Sequence, residues 1–123
     1  KVQDIIVANI TVNGHVISAG DTPTITVGDA SGTDAEASIE GNDTSGTITI
    51  HTHTGAIPMA GILAEITFST PYAKPPRIML TPEGSTSAAV TTYVENGTTS
   101  FKLGAYNQPQ PNNNYRYYYY VIQ

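Results

Sequence analysis

The chain contains no cysteine, so neither a disulfide framework nor a thiolate metal site can stabilise it, and the redox compartment is left open. Charge is scarce as well. Asp, Glu, Lys and Arg make up 12% of the residues, against a usual share of about 25%. Within that small set 5 basic side chains face 10 acidic ones, giving a net charge of −5. Such a balance repels a phosphate backbone and an anionic lipid surface, which argues against nucleic acid and membrane surfaces as partners. No apolar run approaches the roughly 20 residues that cross a bilayer as a helix, so no membrane insertion is expected. Helical periodicity flanked by caps is missing throughout.

What the chain does hold is Thr, Ser, Asn and Gly, interleaved with β-branched and aromatic residues. That mixture suits strands with hydroxylated faces. With 39% hydrophobic residues over 123 positions it can bury the core of one domain, and the low charge does not signal disorder. The chain begins at Lys1 with no charged-then-apolar leader, and is read as a piece of a longer polypeptide that ends naturally at Gln123.

Alternation is the main structural signal. Ile5-Ile6-Val7 and Ile10-Thr11-Val12 read as short strands before a turn at Asn13-Gly14, and His15-Val16-Ile17 resumes beyond it. His15 reads as a hydrogen-bonded turn residue. Thr24 to Val27 and Glu36 to Glu40 read as strands. In Gly46 to Thr54 the residues Ile48 and Ile50 share one face, and Thr47, Thr49, His51 and His53 the other. From Ile62 to Ser69 the same rule sets Ile62, Ala64, Ile66 and Phe68 against Leu63, Glu65, Thr67 and Ser69. Pro82 is expected to end the strand Arg77 to Leu80. Ala89 to Glu95 and Thr99 to Leu103 flank a two-residue hairpin at Asn96-Gly97, and Gly104 to Asn114 is a long polar loop. About eight to ten short strands at even spacing predict an all-β fold, an antiparallel β-sandwich of jelly-roll type.

The closing segment, YRYYYYVIQ, has two apolar faces. Tyr115, Tyr117, Tyr119 and Val121 point one way, and Tyr118, Tyr120 and Ile122 the other. This predicts a central strand covered on both sides, by the domain core on one and by a second sheet or a neighbouring subunit on the other. Tyr115, Tyr117, Tyr118, Tyr119, Tyr120 and Ile122 are therefore the candidate oligomer interface, since Tyr is favoured where protein surfaces meet.

The run NGHVISAG, then GNDTSGTITIHTHTG, then AGILAEITFSTPYAKPPRIMLTPEG, then a hairpin and YRYYYYVIQ resembles a family of C-terminal β-sandwich head domains. Such domains end long fibrous proteins of bacteriophages, of tail-fibre and receptor-binding type, and related bacterial surface proteins. The resemblance spans about Asn13 to Gln123 and is carried mainly by Gly46-Thr47-Ile48-Thr49, by FSTPYAKPPRIMLTP from Phe68 to Pro82, and by the Tyr-rich end. It implies a homotrimer at a fibre tip, on a virion or extracellular surface. Residues 1–12 would arrive from a stalk, and residues 13–123 would form the head. The family has small or hydroxylated residues where this chain has His51 and His53.

Those two histidines project from one strand face with backbones about 7 Å apart, from a rise of ~3.3 Å per residue. Two imidazoles do not fill a coordination sphere. Three copies around a threefold axis would supply six nitrogens, enough for an octahedral transition-metal ion, and phage long tail fibres use such His-x-His pairs for an axial metal ion. The competing reading is two surface histidines on a Thr-rich face, with no cofactor.

A sugar-binding site is the other candidate. Tyr106, Asn107, Gln108, Gln110, Asn112, Asn113 and Asn114 combine an aromatic ring with amides in one loop, and Tyr93 is expected on a nearby strand. The plainer reading is a polar connection rich in turn-tolerant Asn. Catalysis finds little support. No Gly-x-Ser-x-Gly elbow is present, Glu65 and Glu95 lie on separate strands, and GDASG lacks the lysine of a phosphate loop. Asp29, Asp34 and Asp43 lack the spacing of a calcium loop. The expected function is a non-enzymatic trimerisation and host-surface-binding head, touching a glycan or protein of the host. The alternative is a monomeric carbohydrate-binding module of a secreted enzyme.

Overall fold

A computed structural model describes residues 4–55 and 58–123, so the first three residues of the expected stalk segment and two of the GAIPMAG loop lie outside it. In chain order the strands are β1 (Thr24–Val27), β2 (Glu36–Gly41), β3 (Ser45–Thr52), β4 (Gly61–Thr67), β5 (Arg77–Glu83), β6 (Thr92–Asn96), β7 (Ser100–Ala105) and β8 (Asn113–Ile122). A 3₁₀ turn, Asp29–Ser31, follows β1, and a short helix, α1 (Gly84–Ala88), follows β5. The strands form two four-stranded sheets, ordered β1-β4-β7-β6 and β2-β3-β8-β5, with antiparallel pairing throughout. The predicted all-β sandwich is the observed fold.

The core lies between the sheets and follows the period of two. Ile48 and Ile50 of β3 and Tyr115, Tyr117, Tyr119 and Val121 of β8 face Leu63, Ala64 and Ile66 of β4 and Phe101 and Leu103 of β7, all buried. Burying each large side chain contributes roughly 1.5–3 kcal/mol, so the three tyrosines are a major share of the driving force. Phe101 joins the layers, with its ring centroid 6.2 Å from Tyr119 and 5.7 Å from Phe68. The tyrosine hydroxyls are disposed of separately. Tyr119 donates to the Asn42 carbonyl at 2.5 Å, and Tyr115 accepts from the Gln110 N–H at 2.7 Å. The Tyr117 hydroxyl is buried and has no hydrogen-bond partner among the described residues.

Several local expectations are corrected. Residues 4–23 contain no strand: the segments Ile5 to Val7, Ile10 to Val12 and His15 to Ile17 run as an irregular, exposed arm, and the sandwich starts at Thr24. Strand propensity without a neighbour to pair with does not make a strand. In β4 a bulge between Ile62 and Ala64 turns both Leu63 and Ala64 inward, breaking the expected alternation. β5 continues through Pro82 to Glu83, tolerated because β5 is an edge strand and a proline can leave its missing N–H facing outward. α1 occupies the chain before β6, which therefore begins at Thr92 rather than Ala89. The β6–β7 connection uses Gly97 to Thr99, closed by the Gly97 N–H on the Ser100 carbonyl at 2.9 Å. The long polar loop shrinks to residues 106–112 because β7 reaches Ala105 and β8 starts at Asn113.

Candidate functional site

β8 is a central strand, as its two-faced pattern predicts, and its faces have different fates. Tyr115, Tyr117 and Tyr119 are 2%, 0% and 3% exposed in the single chain. They belong to the core and leave no surface for a neighbouring subunit, which removes them from the expected interface. Tyr118, Tyr120 and Ile122 point to the outer face and stay 45–49% exposed. Register sets Met79 opposite Tyr120, Thr81 opposite Tyr118 and Arg77 opposite Ile122 on β5, and Ser45 and Thr47 opposite Tyr120 and Tyr118 on β3. Met79 is itself 48% exposed. Four large apolar side chains therefore form one contiguous patch at one end of the outer face.

The other end of that face is polar. Arg116 meets Glu83 at 3.7 Å, and beyond them His51 stands opposite Asn114 and Glu36. The Asn114 side-chain oxygen lies 2.6 Å from His51 Nδ1, so that nitrogen is engaged within the sheet and Nε2 is the ring nitrogen not bound to Asn114. The rings of His51 and His53 meet edge to face at 4.2 Å, so the expected juxtaposition of the pair holds. His53 Nε2 is covered, makes no hydrogen bond among the described residues and reaches Glu36 only at 3.5 Å. Among the described residues no three His, Asp or Glu side chains of one chain are placed to hold a metal ion. Any such site would need donors from other copies and would require His53 to open toward them.

The polar loop is bound into the fold more tightly than a recognition loop needs to be. Asn107 accepts from the Thr91 N–H at 2.7 Å and donates to the Ala89 carbonyl at 3.1 Å, and Gln108 donates to the Pro58 carbonyl at 2.9 Å. The Thr52 hydroxyl donates to the Gln110 carbonyl at 2.6 Å. Asn112 adopts a left-handed φ of 54°, a conformation Asn tolerates, and its N–H bonds the His53 carbonyl at 3.1 Å. Asn113 opens β8 with its N–H on the Thr52 hydroxyl at 3.1 Å. These residues close the sandwich end.

The aromatic members of the same set lie at the β6–β7 edge. Tyr93 stands opposite Gly104, where a Cβ would run into its ring, so the missing side chain lets the ring lie against β7. The Tyr106 N–H continues the β6–β7 ladder to the Thr91 carbonyl at 2.7 Å, placing Tyr106 diagonally across from Tyr93 at about 7–8 Å by sheet geometry. Tyr106 is 79% exposed.

The carboxylates are structural or solvated. Glu65 and Glu95 flank Lys102 in register on the outer face of the first sheet, around a shallow depression of about 280 Å3, and Glu65 accepts from the Ser100 hydroxyl at 2.8 Å. Asp43 accepts from the Ser69 N–H and hydroxyl and the Thr70 N–H at 2.8–2.9 Å, and Asp34 accepts from the Gly55 N–H at 2.9 Å. A signal the sequence held but did not reveal is Asn42. Its side-chain oxygen accepts the Thr44 and Ser45 N–H groups at 2.9 and 3.1 Å, and its amide donates to the Ser18 hydroxyl at 3.0 Å. It thereby roots the N-terminal arm beside Ser45, the neighbour of Tyr120. No family model, curated protein or solved structure matches the chain.

Proposed function

We propose that the chain is the non-enzymatic, homotrimeric head of a fibre-like surface appendage such as a bacteriophage tail fibre. It would hold the assembly together and present its loops to a glycan or protein of a host surface, where weak contacts gain from being repeated. The observation that carries this reading is the apolar patch of Met79, Tyr118, Tyr120 and Ile122, half-exposed on an otherwise polar sheet face. Contiguous apolar surface of this kind marks an interaction site. Sedimentation or light scattering is expected to give a particle of three times the 13.0 kDa chain mass. Tyr120→Glu is expected to dissociate it at least tenfold more readily, because a buried, unpaired carboxylate opposes association. A 13.0 kDa species persisting at high protein concentration overturns the proposal.

One observation favours a second reading, a monomeric carbohydrate-binding module: Tyr106 is 79% exposed just past β7 and offers a sugar ring an aromatic face. Glycan binding by a monomer, abolished by Tyr106→Ala, would establish it.

Within the trimer reading His51 and His53 would hold a transition-metal ion between copies, His51 through Nε2, the ring nitrogen that Asn114 does not engage. Elemental analysis of untagged protein is then expected to give about one metal per three chains. No metal, with melting unchanged by chelator, excludes it.

A further inference from the structure

The N-terminal arm is the most unusual feature of the molecule. Ile6 is 96% exposed, Val16 and Ile17 84%, Ile5 75% and Ile10 73%. No hydrogen bond ties residues 4–17 to the rest of the described chain; the first are made by Ser18, to Ser45 at 2.7 Å and to Asn42 at 3.0 Å. A soluble segment does not keep this much aliphatic surface in water without a partner. We propose that the arm of one copy seats on the Met79–Tyr118–Tyr120–Ile122 patch of a neighbouring copy. The inference rests on the self-association proposed above and names its mechanism.

Three features select a second copy as the occupant. The first is composition. The arm is aliphatic with one charge, Asp4, and the patch is apolar with one cation at its border, Arg77, which has no ion-pair partner among the described residues. The second is reach. The fourteen residues from Asp4 to Ile17 can extend to about 46 Å at ~3.3 Å each, while a domain of this length has a radius of gyration near 14 Å. An arm of that length extends past its own domain onto the next. The third is position. The arm leaves the fold at Ser45, the register neighbour of Tyr120, so its root sits at the border of the patch on its own copy. An arm from one copy and a patch from the next are different surfaces, and such head-to-tail contact closes into a ring about a symmetry axis.

The absence of cysteine makes the test direct. Chains carrying Ile10→Cys and chains carrying Tyr120→Cys are refolded together and oxidised, and the expected product is a mixed disulfide between the two kinds of chain. Lys102→Cys, on the outer face of the opposite sheet, is the control and is expected to cross-link to the arm at least tenfold less. Equal cross-linking to both faces overturns the proposal, as does an intrachain disulfide in the Ile10→Cys/Tyr120→Cys double variant. A second measurement avoids cysteine. Ile5→Ser, Ile6→Ser and Ile10→Ser together lie outside the folded sandwich and are expected to weaken association at least tenfold without changing the monomer's circular dichroism. An oligomer unaffected by these changes overturns the arm mechanism and leaves the trimer reading standing. A wild-type chain that never associates overturns both.

Discussion

Replacing Gly46 by valine is expected to remove about 4 kcal/mol or more of stability, a large share of what a small domain has. Gly46 lies in β3, on the inner side of the ladder opposite Tyr119 of β8 and Gly41 of β2. A Cβ at this position would fall on the Glu40 carbonyl oxygen and press on the Tyr119 ring and hydroxyl at 2.8 and 2.6 Å. Neither neighbour can yield cheaply. Glu40 is fixed by the β2–β3 ladder, and the Tyr119 ring is buried with its hydroxyl bonded to Asn42. Overpacking alone costs about 1–3 kcal/mol, and displacing Tyr119 adds a lost hydrogen bond and a disturbed core, for a total of about 4 kcal/mol or more. Small domains have only about 5–15 kcal/mol to lose. Gly97→Ala is the control, because the nearest atom to a Cβ there is the Ser100 carbonyl oxygen at 3.5 Å; it is expected to change stability by no more than about 0.5 kcal/mol. Urea unfolding of the two variants measures the contrast, and a Gly46→Val chain with a wild-type midpoint would refute the close approach.

The same strand shows what could be read from residue order and what could not. Alternation in GTITIHTHT sorted Ile48 and Ile50 from Thr49 and His51 correctly, because one face is buried and a one-residue slip would reverse every side chain. Alternation in YRYYYYVIQ likewise separated two rows of tyrosine, and the rows differ in one residue: the charged Arg116 falls in the row of Tyr118 and Tyr120 and marks it as the outer one. Packing with Phe101 and Ile48 accordingly takes Tyr117 and Tyr119 inward. The β4 bulge left no mark in composition, since Leu63 and Ile62 are equally apolar and either could have been the inward residue. The arm misled for the opposite reason: its β-branched residues carry strand propensity, and propensity counts only when a neighbour supplies hydrogen bonds. The site contacts were the least legible. His51 meets Asn114 across 63 positions and Asp43 reaches Ser69 across 26, and such pairs follow from register, which no local window contains.

Alkaline solution is expected to unfold the chain between about pH 10 and pH 12, and the two buried tyrosines opposite Gly46 and Ile48 are the reason. Burial pushes the Tyr117 phenol up to about 12, with the nearby Tyr115 phenol adding to the rise. Burial does the same to Tyr119, again to about 12, reinforced by the Asp43 carboxylate and then Tyr72. In the unfolded chain a tyrosine titrates near pH 10. The folded state therefore holds its phenolic protons more tightly than the unfolded one. The stability this confers is whole below about pH 10 and drains away as the pH climbs through about 12, at roughly 2–3 kcal/mol for each group. The two together approach the entire stability of a small domain. Circular dichroism and tyrosinate absorbance followed against pH should change together. Tyr117→Phe separates this cause from general alkaline damage. It removes one titrating group and a buried hydroxyl with no partner among the described residues, so it is expected to be neutral or slightly stabilising at pH 7 and to move the alkaline midpoint upward. Tyr119→Phe should also raise that midpoint, but at a cost of about 1 kcal/mol at pH 7, because its hydroxyl serves Asn42. If Tyr117→Phe unfolds at the same alkaline pH as the wild-type chain, the buried phenols do not set the limit.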